Sequence, residues 1–168
     1  MHTVIAISLF AGAALLVAAA LHDIVGRTVP NGVAAALAIA GIVVQAIQGT
    51  LLYGLPAALL VFVVAAICWR RGWMGGGDVK LLGAAALLVP PWLVPSLITG
   101  TALSGGVLAL LYLAARRRMP RPSDGRPVRL LSRVWRVERW RLRRGGPMPY
   151  AVAIASGAIL VLVQGGLP

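Results

Sequence analysis

The sequence predicts an all-α polytopic membrane protein with six transmembrane helices, the fourth of them short. Three observations carry that prediction. Hydrophobic residues make up 60% of the chain and charged residues only 12%, roughly half the charged share of a soluble domain. Apolar stretches of about 20 residues recur, the length that a hydrocarbon core of about 30 Å requires. The sixteen Lys and Arg cluster in alternate loops, as in proteins whose cytoplasmic loops retain positive charge. Six spans in 168 residues leave no room for a soluble domain, so residues 1–168 are read as one membrane domain.

The first span covers about residues 3–22. It resembles a signal peptide only superficially, because no Lys or Arg precedes Arg27 and the apolar run is longer than an h-region; it is read as retained. The second and third spans cover about 32–48 and 51–68. A single helix from Leu81 to Ala115 would be about 52 Å long, too long for the bilayer. Pro90-Pro91 and Pro95 break it into a short fourth span at about 79–90 and a fifth at about 95–115. The sixth covers about 149–166.

With six spans, the loops after the first, third and fifth share a side. Arg27 lies in the first, Arg70, Arg71 and Lys80 flank the second, and twelve arginines between Arg116 and Arg144 fill the third. The opposite loops carry no basic residue. This partition places the basic face in the cytoplasm and both termini on the outer side of the cell inner (cytoplasmic) membrane.

Residues 116–147 form the one polar segment. Three prolines, a glycine and Ser123-Asp124 predict an irregular loop from Arg116 to Pro127. From Val128 to Arg144 a helical wheel puts Leu130, Leu131, Val134, Trp135, Val137 and Leu142 on one side and Arg129, Arg133, Arg136, Arg139, Arg143 and Arg144 on the other, with Arg141 and Trp140 as the exceptions. The expectation is a basic amphipathic helix lying in the interface between the fifth and sixth spans, arginines toward anionic lipid. Its alternative is a solvated basic loop that only fixes topology.

A net charge of +12 suggests nucleic acid in a soluble protein; here membrane topology accounts for it, and no nucleic-acid partner is expected. The single cysteine, Cys68, excludes an internal disulfide and a Cys-x-x-Cys metal site, and reads as a small packing residue. No metal or other cofactor is expected.

The chain has four acids. Asp23 and Asp78 stand at the ends of long apolar runs, where an idle carboxylate is expensive and a functional role is the default hypothesis. They are 55 residues apart, yet the threading puts both at one depth, at the cytoplasmic ends of the first and fourth spans. Gly75-Gly76-Gly77 precedes Asp78, a backbone suited to positive φ or to close approach of another chain. Asp78 alone also reads as a helix cap, Arg27 as a topological charge, Lys80 as a marker of the cytoplasmic boundary. His22 is the other titrating group nearby, but no Ser or Cys nucleophile adjoins it.

Asp23 with Arg27, Pro30 and Asn31, then Gly75-Gly76-Gly77-Asp78-Val79-Lys80-Leu81, then Pro149-Tyr150 opening the last span, together resemble the type IV prepilin peptidase family. These are membrane aspartyl proteases of the GxGD kind, and the resemblance covers nearly the whole chain in order and spacing. It implies that Asp23 and Asp78 are the catalytic pair; Gly75, Gly76, Gly77, Lys80, Arg27 and Asn31 around them are read as substrate-binding or dyad-supporting residues. It implies a prepilin or pseudopilin substrate, cut at the cytoplasmic face where a short basic leader meets its hydrophobic stem. Larger members carry a cytoplasmic insert with paired Cys-x-x-Cys zinc ligands, associated with methylation. This chain lacks it and resembles the short form of tight-adherence (Flp-type) pilus systems, so methyltransferase activity is not implied.

Within proteases the alternatives are a preflagellin-peptidase-like or presenilin-like enzyme. Outside them stand a non-enzymatic membrane scaffold and a small proton-coupled transporter. A transporter prefers acids near mid-membrane and an internal repeat, and the sequence offers neither.

Overall fold

A computed structural model describes residues 2–118 and 148–164. Each of the six apolar segments forms a helix: α1 (His2–Gly26), α2 (Asn31–Gln48), α3 (Leu51–Arg70), α4 (Gly76–Leu88), α5 (Val94–Arg118) and α6 (Tyr150–Gln164), with a single 3-10 turn at Pro91–Leu93 before α5. No strand occurs among the described residues. Helices α1, α2, α3 and α5 are long and apolar enough to cross a bilayer; α4 has 13 residues and α6 has 15. The amphipathic helix expected at residues 128–144 lies outside the described residues.

The described residues up to Gly105 and from Pro149 to Gln164 form one compact unit; α5 from Gly106 onward belongs to a second. At the centre of the first unit is α4. At about 20 Å it is shorter than the hydrocarbon core, and protein surrounds it: Val79, Leu81, Leu82, Gly83, Ala84, Ala85, Ala86 and Leu88 are all buried. From Leu81 to Leu88 the helix carries no polar residue, and a stretch apolar all round belongs in such a position. It packs against α2, α3 and α6, while α1 packs against α2 and α6.

Small residues set the spacing, as expected where lipid removes the hydrophobic drive and close packing supplies the attraction. The face of α3 toward the interior is Gly54, Ala58, Val61 and Ala65, while Leu52, Leu59, Leu60 and Val64 of the same helix are exposed. On α2, Gly41 meets α4 so closely that a Cβ would lie 2.6 Å from the Leu87 carbonyl carbon.

The end of α4 carries a feature the sequence did not announce. Residues 90 and 91 are prolines, so the two amides that would close the last turn onto the Leu87 carbonyl are missing. Gln45 of α2, only 1% exposed, supplies the donor instead. Its Nε2 donates to Leu87 O at 2.9 Å and to Val89 O at 3.4 Å. Thr50 Oγ1 donates to Gln45 Oε1 at 3.4 Å. Gly54 leaves the space that the Gln45 amide fills.

Candidate functional site

The buried positions of α1 are Leu9, Gly12, Leu16, Ala19 and Asp23, spaced three or four apart and therefore on one stripe. Asp23 continues the inward face of its helix rather than turning to solvent, and is 6% exposed. Its Oδ2 accepts a hydrogen bond from the Ala151 backbone N–H at 3.3 Å. Ala151 is the second residue of α6, where helix amides have no intrahelical acceptor and the helix field favours negative charge. The last helix thus supplies a donor to the acid of the first.

Asp78 lies in the first turn of α4, three residues after the N-cap Gly75. Its carboxyl turns back onto the Gly75 main chain, where it accepts a backbone hydrogen bond, one half of a capping box. It stabilises the helix start from the third position instead of occupying the cap. Asp78 and Asp23 are close enough that the charge of Asp23 acts on the Asp78 carboxyl. Two acids distant in sequence therefore share one electrostatic neighbourhood.

The glycine run works through close approach. None of Gly75, Gly76 and Gly77 has positive φ; Gly75 is extended (φ −72°, ψ 144°) and the other two are helical. A Cβ on Gly77 would meet Val29 atoms at 3.3 Å, one on Gly76 the Trp69 indole nitrogen at 3.3 Å, and one on Gly75 the Asp78 carboxylate at 2.9 Å. The absence of side chains lets the α1–α2 loop and the end of α3 close around the start of α4.

The positive φ that the glycines do not use occurs at Arg27, at 55°. Its N–H donates to Asp23 O at 2.9 Å, the 5→1 bond of a left-handed helix cap. Glycine normally holds such a position because a Cβ there costs about 1–2 kcal/mol. Gly26 sits one residue too early to take it. His22, next to Asp23, donates from Nδ1 to the Thr28 carbonyl at 2.7 Å, which ties the loop back to its helix.

Lys80 and Asn31 meet each other: Lys80 Nζ donates to Asn31 Oδ1 at 2.9 Å, on the exposed surface. Residues two apart on a helix point about 200° from one another, so Lys80 and Asp78 leave α4 in different directions. Tyr150, at the start of α6, stands instead within electrostatic reach of Asp78 and packs its ring against Gly105. Sequence reasoning marked Pro149-Tyr150 as the opening of the last span without assigning it a place at the site. Among the described residues no group of three or more His, Cys, Asp or Glu side chains is arranged to hold a metal ion.

A family model described as the type IV leader peptidase family matches residues 10–110. The matched stretch contains both carboxylates and the glycine run and stops short of α6. No curated protein and no solved structure matches the chain.

Proposed function

The chain belongs to the type IV leader peptidase family and is a multi-pass membrane peptidase; on that premise we propose that Asp23 and Asp78 form an aspartyl dyad that removes the leader of type IV (Flp-type) prepilins or pseudopilins at the cytoplasmic face. The observation that carries this reading is that two carboxyls, from α1 and α4, both turn inward: Asp23 is buried on the Ala151 N–H at the start of α6, and Asp78 folds back on Gly75 where the charge of Asp23 reaches it.

Two neighbouring carboxyls do not both ionise readily and hold one proton between them over a wide pH range. The ionised member takes a proton from a water, whose oxygen attacks the scissile carbonyl carbon. The protonated member donates to the carbonyl oxygen and steadies the charge developing there. Collapse of the tetrahedral intermediate breaks the C–N bond, and the leaving nitrogen takes up the proton that the base acquired.

A boundary location is supported by Trp69, which adjoins Gly76 at the start of α4, and by Arg70, Arg71 and Trp73, exposed beside it, residue types suited to a membrane–water interface. A carbonyl inside a substrate helix is occupied by an internal hydrogen bond, whereas one at the junction of leader and stem is accessible. A dyad at the boundary suits that junction.

Co-expression with a candidate prepilin tests the reading by mass spectrometry of the pilin. Loss of a mass equal to the leader is expected with the wild-type chain and its absence with Asp23→Asn or Asp78→Asn, while both variants insert and accumulate. Asp124→Asn serves as the control and cleaves normally. Wild-type processing by Asp78→Asn would remove the dyad from the mechanism and favour a scaffold or transporter role.

A further inference from the structure

Away from the carboxyls, helices α2, α3 and α4 enclose an apolar groove of about 440 Å³. Its walls are the alanines 34, 35 and 38 of α2, the stretch of α3 from Leu55 to Phe62, and Gly83, Ala84 and Leu87 of α4. Among the described residues its polar lining is Asn31 and Lys80, both at one end because α2 and α4 each begin there. From Lys80 to Leu87 the groove follows about 10 Å of helix. On α4 its lining residues, three and four apart, occupy the side of the helix away from Asp78. The groove is therefore distinct from the proposed dyad.

The same end carries further positive charge. Arg70 and Arg71 end α3 and are exposed; the Arg71 guanidinium lies over the Trp73 ring at 5.4 Å. Trp69 and Trp73 are exposed, at 54% and 72%, in the manner of an interfacial aromatic belt. Lys80 uses one donor on Asn31, and an ammonium has three. An apolar groove with an ammonium at one end, and with exposed guanidiniums beyond it at the end of α3, matches an amphiphile with apolar tails and an anionic head.

We propose that the α2–α3–α4 groove is a binding site for an anionic phospholipid, with acyl chain against the alanine wall and phosphate on Lys80. Its test does not use leader cleavage, so its outcome is read separately from that of the proposed function.

The full chain, purified in detergent and delipidated, is titrated with phosphatidylglycerol or with phosphatidylcholine of identical acyl chains and observed by native mass spectrometry. One phosphatidylglycerol is retained, with a preference over phosphatidylcholine of about fivefold, the worth of one lysine at an anionic headgroup. Lys80→Gln brings that preference close to one. Ala38→Leu, which fills the groove from a half-buried wall, removes the retained lipid whichever headgroup it has. Ala35→Leu, from an exposed position on the same wall, does the same should Ala38→Leu lose its helical circular dichroism. Equal retention of the two lipids by the wild type, or full retention by both leucine variants, overturns the proposal in favour of annular lipid. A leucine variant that converts a dimer to a monomer overturns it in favour of a second copy of the chain. Photo-crosslinking of a prepilin stem to the groove, undiminished by phosphatidylglycerol, overturns it in favour of substrate.

Discussion

Replacing Gln45 by Met tests how a helix that ends inside the protein is held. The side chain keeps nearly the same length and loses its amide. Leu87 O then has no donor, since the residues that would serve it in sequence are Pro90 and Pro91. The bond to Leu87 O, at 2.9 Å, is a full one; that to Val89 O, at 3.4 Å, is long and counts for a fraction. A polar bond between membrane helices contributes about 0.6 kcal/mol on average, and a buried acceptor left unsatisfied costs about 1–3 kcal/mol. Together they give a destabilisation of about 2 kcal/mol for Gln45→Met, close to a thirtyfold change in the folded-to-unfolded ratio. Thr50→Ala, which removes only the 3.4 Å bond to the Gln45 carbonyl oxygen, should cost under about 0.5 kcal/mol. Reversible unfolding in mixed micelles, followed by tryptophan fluorescence, measures both. Leader cleavage at a permissive temperature should persist in Gln45→Met, because the dyad lies at the other end of α4. A Gln45→Met variant as stable as wild type, or a Thr50→Ala variant as damaged as Gln45→Met, would refute the assignment of Gln45 as the cap of α4.

Gly77→Ala drives a Cβ against Val29 at 3.3 Å and shifts the α1–α2 loop by a few tenths of an ångström beside both acids; a loss of roughly tenfold in cleavage rate with little change in melting temperature is expected. Arg27→Ala and Arg27→Gly both remove the guanidinium, but only glycine relieves the left-handed strain, so the glycine variant should be the more stable of the two by about 1 kcal/mol when their unfolding is compared; equal stability would remove the strain assignment. The cleavage rate of the wild type should follow a bell-shaped pH profile, measured on a purified prepilin in detergent. Below the lower limb both carboxyls are protonated and the base is lost; above the upper limb both are ionised and the acid is lost.

The helices were legible because lipid demands long apolar runs, and all six predicted segments became helices among the described residues. Which side of each helix faces inward was not legible. On α1 the exposed Ile7, Phe10, Val17 and Leu21 are as apolar as the buried Leu9, Leu16 and Ala19, so no periodicity separates them. Asp23 and Asp78 stood out because charge in such a chain is rare, and their shared depth followed from the threading. The contribution of α6 did not, since a donating main-chain amide has no side-chain signature at residue 151. Gln45 read as one more residue of an apolar span, and only the prolines 45 and 46 positions later explain its amide. The glycine run was expected to supply positive φ or close approach and supplies the second. Arg27 takes the left-handed position with Gly26 beside it in the chain, which no rule of composition foresees.

The hydrogen bond from Ala151 to Asp23 joins residues 128 apart in sequence. During synthesis the first five helices are made before the donor exists, and the acid of α1 waits without that partner until the final segment emerges and inserts. Assembly order thereby becomes a safeguard: a nascent chain halted before residue 149 retains Asp23 and Asp78 yet lacks the amide that steadies the first of them. Proteolytic competence would then arrive with the last helix, once the rest of the bundle is already in the bilayer.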